Sequence, residues 1–128
     1  MSYLTLGNVL PVLARGIRAT LALQITDPQR HDYGGHEYGG VVQPEWGLAA
    51  AGSTTSFIAG CGFLYLANTR HPCHVLGLDP AELLARALLA AKCLLRVQRP
   101  SGLIDLRDCN YDSSPDTGLA VQMLCTLV

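Results

Sequence analysis

Charge is scarce in this sequence. Only 15% of its 128 residues are charged, against 49% hydrophobic residues, and nine basic residues nearly balance ten acidic ones. No cationic stripe is present, which argues against nucleic acid as a partner. Low charge at this length indicates one small domain with an extensive core, or an apolar surface that a partner or a second copy of the chain covers.

Signatures of secretion, of a disulfide framework and of a membrane span are also missing. The five cysteines are widely scattered with no C-x-x-C pair, which indicates free thiols in a reducing compartment. No positively charged segment precedes the first apolar residues. Residues 46–69 carry no charge, but Gly, Ser and Thr dilute this run, so we interpret it as a buried helix. We therefore predict a cytoplasmic protein that does not enter a membrane.

Cofactor motifs are absent too. The paired glycines at 34–35 and 39–40 lack the lysine and hydroxyl residue that follow in a phosphate loop. Two sets of residues have metal-binding side chains, but neither has the spacing of a zinc site, and the second falls in a predicted turn over residues 70–77. Cys109 has no neighbour that would activate a thiol. We predict no cofactor and no metal. The two sets are His31, His36 and Glu37, and His71, Cys73 and His74.

Apolar periodicity predicts four helices, at about residues 9–25, 54–68, 79–98 and 115–128. The third has the clearest start, since Asp79 can cap it and Pro80 suits the first helical position. Glu82 and Arg86 are spaced to form an i,i+4 ion pair on this helix. The fourth helix ends without a capping signal, which predicts that the chain is the front of a longer protein.

The first two helices have weaker signals. Asn8 is expected to cap the first helix, with Pro11 in its first turn. Ser53 or Thr54 is expected to cap the second. Two glycines weaken the second helix, so a strand over residues 55–66 is the alternative there.

Polar residues concentrate in two predicted loops, at about residues 27–52 and 99–116. The first repeats Tyr-Gly-Gly and holds the only tryptophan, Trp46. Glycine pairs let a backbone approach a ligand closely, and aromatic rings suit the faces of sugars. The second loop carries four aspartates, two arginines, Asn110 and Tyr111. We expect both loops to lie near one rim of a helical stack, with a sugar-sized hollow between them.

Several stretches resemble the N-terminal part of bacterial α/α-toroid proteins of the heparinase II/III-like kind, which are carbohydrate-active. The resemblance implies an all-α fold in which antiparallel helical hairpins form part of an incomplete α/α toroid, as a single partial domain over residues 1–128. The similar stretches are Asp32-Tyr33-Gly34-Gly35, Pro44-Glu45-Trp46-Gly47, the run 94–105 and the run 110–117.

The resemblance also implies a function, the cleavage of glycosidic bonds in a polysaccharide or oligosaccharide, with lyase chemistry favoured slightly over hydrolase chemistry. As a fragment, the chain is expected to be inactive. The residues expected to hold the saccharide are Tyr33, His36, Tyr38, Trp46, Asp105 and Asp116. The alternative function is a non-catalytic helical interaction module or a carbohydrate-binding module, with self-association through exposed apolar surface.

For a lyase, the candidate catalytic residues are Asn110, Tyr111 and Asp112. An Asn that masks a uronate carboxylate makes the neighbouring C–H acidic enough for a Tyr to remove its proton. The structural alternative is that Asn110 caps a turn and Tyr111 packs at the mouth of a helix.

For a hydrolase, two carboxyl groups are needed. One could come from Asp105, Asp108, Asp112 or Asp116, and the other from Glu37 or Glu45. The structural alternative is that Asp116 is a helix-end charge and that Asp105 and Asp108 pair with Arg99 or Arg107.

Overall fold

The computed structural model describes residues 5–29, 37–104 and 114–125, without the side chains of residue 6 and residues 114–116. These ranges are mostly helical. The α-helices are α1 (Leu6–Leu23), α2 (Ala51–Ala67), α3 (Pro80–Arg96) and α4 (Ser114–Leu124). A short antiparallel hairpin, β1 (Val42–Gln43) and β2 (Leu48–Ala49), precedes α2, and a 3-10 helix (Cys73–Leu76) links α2 to α3.

Helix α2 lies at the centre of the fold and contacts α1, α3 and α4. Its sequence carries no charge and no one-sided apolar stripe, which is the pattern of a helix covered on several sides. Phe57, Ile58 and Leu64 are its largest fully buried side chains, and Leu83 and Leu94 of α3 are buried against the same core. Burying each such side chain contributes about 2 kcal/mol of apolar stabilisation.

Helix α3 begins where its sequence predicts. The Asp79 carboxylate accepts a hydrogen bond from the Ala81 N–H at 2.9 Å, and the Arg86 Nε lies 3.6 Å from the Glu82 Oε1. The helix ends at Arg96, two residues before the predicted end. A tight turn over residues 99–102 follows, in which the Gly102 N–H donates to the Arg99 carbonyl at 2.8 Å.

The predicted caps of α1 and α2 were wrong. Helix α1 begins at Leu6, after Thr5, so Asn8 and Pro11 both lie inside it. Helix α2 begins at Ala51, with Ala50 at the cap position and no side-chain cap bond. Ser53 and Thr54 are therefore inside α2. The alternative of a strand over residues 55–66 is also wrong, because the whole range is helical.

The predicted loop 27–52 is more ordered than expected over its described part. The Ile25 N–H donates to the Gly40 carbonyl at 2.9 Å, and the Gly39 N–H donates to the Ile25 carbonyl at 2.8 Å. The backbone of Val41 then makes two hydrogen bonds to α2 and its cap. The Val41 N–H donates to the Thr54 hydroxyl at 3.0 Å, and the Val41 carbonyl accepts from the Ala50 N–H at 3.0 Å. We call residues 37–41 the strap. They lead into β1 and are hydrogen-bonded to Ile25, which lies just after α1.

The connection from α2 to α3 is also structured, because the predicted turn over residues 70–77 contains the 3-10 helix. Its final residue is followed by Gly77 at φ +69°, a conformation that favours glycine. Across the described ranges, no helix combines the length and the apolar character that a membrane crossing requires.

Candidate functional site

The hairpin, α1 and α2 enclose an open groove of about 860 Å³. Its floor is apolar, with Leu13 and Ile17 of α1 facing Phe57 of α2. Gly60 lets the two helices approach closely there, since a Cβ at this position would overlap the Cδ1 atom of Ile17. We call this space the hairpin groove. One of the residues predicted to bind saccharide lines it.

That residue is Trp46, which lies at the rim of the hairpin groove on the turn between β1 and β2. The Trp46 N–H donates to the Gln43 carbonyl at 3.1 Å, and the Gly47 N–H donates to the same oxygen at 2.9 Å. Gly47 has φ +67°, so the turn is held in a shape that glycine permits. Trp46 is 60% exposed, so its indole offers a flat apolar face at the edge of the groove.

Polar side chains connect α2 to the tip of the hairpin beside this indole. The Ser53 hydroxyl donates to the Gln43 Oε1 at 2.6 Å, and the Gln43 Nε2 donates to the Glu45 Oε2 at 2.6 Å. These two bonds orient the Gln43 amide, which lines the hairpin groove together with Trp46. Carboxylate and amide oxygens beside an aromatic face can accept hydrogen bonds from hydroxyl groups of a ligand that stacks on the ring.

Sequence reasoning singled out Trp46 and Glu45 but missed Gln43 and Ser53. The signal for them was present, because short β-prone segments flank Pro-Glu-Trp-Gly as they do in a hairpin. Once that hairpin is recognised, Gln43 is placed at the end of β1, opposite the first turn of α2.

Tyr38 lies away from the hairpin groove, against the C-terminal end of α3. The Arg96 guanidinium carbon is 5.5 Å from the centroid of the Tyr38 ring, within the range of a cation–π contact. Arg96 also donates a hydrogen bond to the Tyr38 carbonyl. Since Tyr38 does not line the hairpin groove, the structure does not bring Tyr38 and Trp46 onto one platform.

The other predicted site residues have no described side chains. Asp116 lies in the first turn of α4, but its side chain is outside the described part of the structure. The convergence of the two predicted loops stays a prediction, because the contact of Tyr38 is with Arg96 of α3 and not with the second predicted loop. The residues outside the described ranges are Tyr33, His36, Asp105, Asn110, Tyr111 and Asp112.

Glu37, a candidate acid for the hydrolase route, is a buried part of the strap. It is 6% exposed, and its Oε2 accepts a hydrogen bond from the Ala49 N–H at 3.3 Å. Burial raises the pKa of Cys93, the Arg96 guanidinium lowers it, and the Glu37 carboxylate raises it. In this position Glu37 ties the strap to β2 and does not line the hairpin groove.

Three buried thiols lie in α2, in the 3-10 helix and in α3. Burial raises the pKa of Cys61 to about 12 and that of Cys93 to about 11, and Cys73 is buried as well. A thiol is nucleophilic as the thiolate, so these three are poor candidates for catalysis. Cys109, the thiol in the second predicted loop, lies outside the described residues.

These raised pKa values predict an alkaline loss of stability. In the unfolded chain a thiol ionises near its ordinary pKa of 9, whereas in the folded chain the pKa is about 12 for Cys61 and about 11 for Cys93, so both thiols are still mostly protonated at pH 10. The contribution of these two thiols to the free energy of unfolding is therefore fully present below pH 9 and is lost as the pH rises. Between pH 9 and pH 10 the free energy of unfolding should drop by about 1 kcal/mol for each thiol.

Urea unfolding at these two pH values checks this prediction. The Cys61→Ala/Cys93→Ala variant should lose most of the pH-dependent drop, while Cys125→Ala, which removes an exposed thiol, should keep it. An equal drop in all three proteins would contradict the assignment.

Metal-binding groups are not assembled in the described part of the chain, where no cluster of three His, Cys, Asp or Glu side chains occurs. Of the set His71, Cys73 and His74, Cys73 is turned inward, with its thiol donating to the Leu64 carbonyl at 3.2 Å, and His74 is exposed.

Comparison with protein families, with curated proteins and with solved structures finds no match to this chain.

Proposed function

We propose that this chain binds a saccharide in the hairpin groove, as part of the substrate site of a helical protein that cleaves glycosidic bonds. The observation that carries this proposal is the exposed Trp46 side chain at the rim of an 860 Å³ groove that Gln43 and Ser53 also line. A pyranose ring presents an apolar face of C–H groups and a rim of hydroxyls, and this site offers a partner for each.

Rigidity favours binding at this site. The strap and the Ser53–Gln43–Glu45 relay hold the hairpin against α2. Little side-chain entropy is therefore lost when a ligand binds, apart from that of the indole itself.

The catalytic part of the proposal rests on the resemblance to heparinase II/III-like toroid proteins. In this proposal the four helices are the beginning of an α/α toroid in a cytoplasmic protein. Asn110 and Tyr111 serve as the carboxylate-neutralising group and the proton-transfer group of a lyase, with Asp112 beside them. Hydrolase chemistry through a pair of carboxyl groups is the second route.

Removing the indole tests the binding site. Trp46→Ala should weaken binding of a uronic-acid oligosaccharide by about tenfold, since stacking on an aromatic face contributes on the order of 1 kcal/mol. Trp46→Phe should keep most of the affinity. Titration calorimetry with the purified chain measures both.

Phe63→Ala is the matched control, because Phe63 is also an exposed aromatic residue, 45% exposed, but lies outside the hairpin groove. If Trp46→Ala binds the oligosaccharide as tightly as the unchanged chain, the groove is not the saccharide site.

A second candidate function is a helical interaction module. The observation that favours it is the aliphatic character of the α1 side of the groove, where Val12 is 58% exposed. An amphipathic helix of a partner could bury this surface. Light scattering separates the two functions, since a monomer that binds oligosaccharide supports the first and sugar-independent oligomers support the second.

A further inference from the structure

The corner between the end of α2 and the 3-10 helix forms a second concave surface, separate from the hairpin groove. A cleft of about 320 Å³ lies between this corner and the start of α1. Its walls include Leu10 and Pro11 of α1, with Val75 and Leu76 of the 3-10 helix opposite them. We call it the corner cleft. Its volume is within the range of small-molecule sites.

Two basic side chains, Arg70 and His71, line one end of the corner cleft. The same two residues also line a neighbouring cleft of about 510 Å³, whose walls include Phe63 and Leu66. The other residues that line the corner cleft in the described part of the chain have apolar side chains, except Gly7, which has none. The corner therefore combines apolar walls with one cationic end.

No carboxylate is built into the elements around this cationic end. The sequence has no Asp or Glu between residues 45 and 79, and none in α1. Within the described ranges, the Arg70 guanidinium makes no ion pair and no hydrogen bond, since the only bond of this residue is from its backbone N–H to the Ala67 carbonyl at 3.0 Å. Arg18 adds further positive charge nearby, where it donates to the Leu76 carbonyl.

The backbone of the corner is held in place without a ligand. The Asn68 side chain accepts from the Cys73 N–H at 2.8 Å, and the His71 N–H donates to the Ala67 carbonyl at 2.8 Å. Leu10, which forms part of the wall, is 4% exposed and belongs to the core. A ligand would therefore find the walls preformed, which lowers the entropic cost of binding.

We propose that the corner cleft binds a small amphiphilic carboxylate, with its carboxylate on Arg70 beside His71 and its hydrocarbon chain between α1 and the 3-10 helix. A guanidinium can bind a carboxylate through two parallel hydrogen bonds. The apolar walls would bury the chain of the ligand and gain free energy with each methylene group.

Titration of the purified chain with decanoate, below the concentration at which it forms micelles, tests the proposal. Decanoate should bind more tightly than octanoate because it buries more apolar surface. It should also bind more tightly than decanol, which has the same chain length without the charge. NMR shifts of Val75 and Leu76 methyl groups report whether the ligand lies in the corner cleft.

Charge variants complete the test. Arg70→Gln should weaken decanoate binding by about tenfold and leave decanol binding unchanged, since it removes one charge-assisted pair. Arg15→Gln is the matched control, because Arg15 is exposed on α1 and lines neither cleft. Val75→Ser, at a residue that is 74% exposed, should weaken both ligands without affecting folding.

Three results would overturn the proposal. Equal binding of decanol and decanoate would show that the cleft is only apolar. Equal weakening by Arg70→Gln and Arg15→Gln would show non-specific attraction to a basic surface. Failure of decanoate to shift the Val75 and Leu76 signals would place any binding elsewhere.

Discussion

Replacing Gly39 with alanine is expected to lower the free energy of unfolding by about 3 kcal/mol or more. Gly39 has φ +93°, which an L-residue adopts at a cost of about 1–2 kcal/mol. The added Cβ would also overlap the carbonyl oxygen of Leu89 and lie 3.0 Å from its carbonyl carbon. That obstacle is helix backbone, which cannot move aside as the end of a side chain can, so overpacking adds a further cost of about 1–3 kcal/mol.

Gly102→Ala separates the two costs. Gly102 has nearly the same dihedral angle, φ +89°, but its Cβ would meet no atom within 4 Å. It should therefore lose only the conformational part, about 1–2 kcal/mol. Urea unfolding of both variants measures the difference. If the two variants lose the same stability, the strap does not pack against α3 as closely as the structure shows.

The loss of stability in Gly39→Ala would also affect the proposed saccharide site. The strap holds the hairpin through Val41, whose N–H donates to the Thr54 hydroxyl and whose carbonyl accepts from the Ala50 N–H. If the strap lifts from α3, the hairpin that carries Trp46 loses one of its two attachments. We therefore expect Gly39→Ala to weaken oligosaccharide binding even at temperatures where the variant stays folded.

Helix α3 shows which parts of the fold its sequence predicts well. Its start is encoded locally, because the Asp79 carboxylate, Pro80 and the Glu82–Arg86 pair each act within one or two turns of chain. Its end is set within two residues by the Pro100 and Gly102 turn. Signals of this kind depend on neighbours in sequence and need no knowledge of the tertiary structure.

The start of α2 shows where prediction from neighbours in sequence fails. Both Ser53 and Thr54 are good capping residues, yet α2 begins before them because their side chains are used by other parts of the fold. The Thr54 hydroxyl accepts from the Val41 N–H, and the Ser53 hydroxyl donates to Gln43. These partners are 10 or more residues away in sequence, so propensity alone does not identify them.

For the candidate site, the sequence predicted the aromatic residue Trp46 but not the groove that lies beside it. Trp46 was identified because a lone tryptophan in a Pro-Glu-Trp-Gly turn is conspicuous. The groove beside it depends on the close crossing of α1 and α2 at Gly60, which periodicity had treated only as a weak point in a helix. The same periodicity gave no indication that Arg70 and His71 would lie at one end of an apolar cleft.

Changing Gln24 to glutamate has the second large expected effect. Gln24 follows α1 and is 6% exposed. Its Nε2 donates to the Gly39 carbonyl at 2.9 Å and to the Arg86 carbonyl at 3.0 Å, and its Oε1 accepts from the Arg86 guanidinium at 3.2 Å. A single amide thus joins the end of α1, the strap and α3.

In Gln24→Glu, an oxygen replaces the nitrogen that makes both donor bonds. That oxygen would face two carbonyl oxygens in a buried site, and each lost bond leaves an acceptor without its donor at a cost of about 1–3 kcal/mol. The contact of the other oxygen with Arg86 offsets part of this cost. We expect the free energy of unfolding at pH 7 to fall by about 3 kcal/mol.

The pH dependence identifies the mechanism. Burial and the two carbonyl oxygens favour the protonated carboxyl group, whereas the Arg86 guanidinium favours the charged form. We expect the first two effects to be larger, so that the pKa in the folded variant lies above its value in the unfolded chain. The folded variant then binds a proton more readily than the unfolded one, and its stability relative to the unchanged chain should rise as the pH falls through that pKa.

Gln122→Glu is the matched control, because Gln122 is at an exposed position of α4. It makes the same chemical change without burial and should alter the free energy of unfolding by less than about 0.5 kcal/mol over the same pH range. Equal stabilities of the Gln24→Glu and Gln122→Glu variants at pH 7 would mean that the Gln24 amide does not join the strap to α3, because a buried junction of that kind must distinguish a donor from an acceptor.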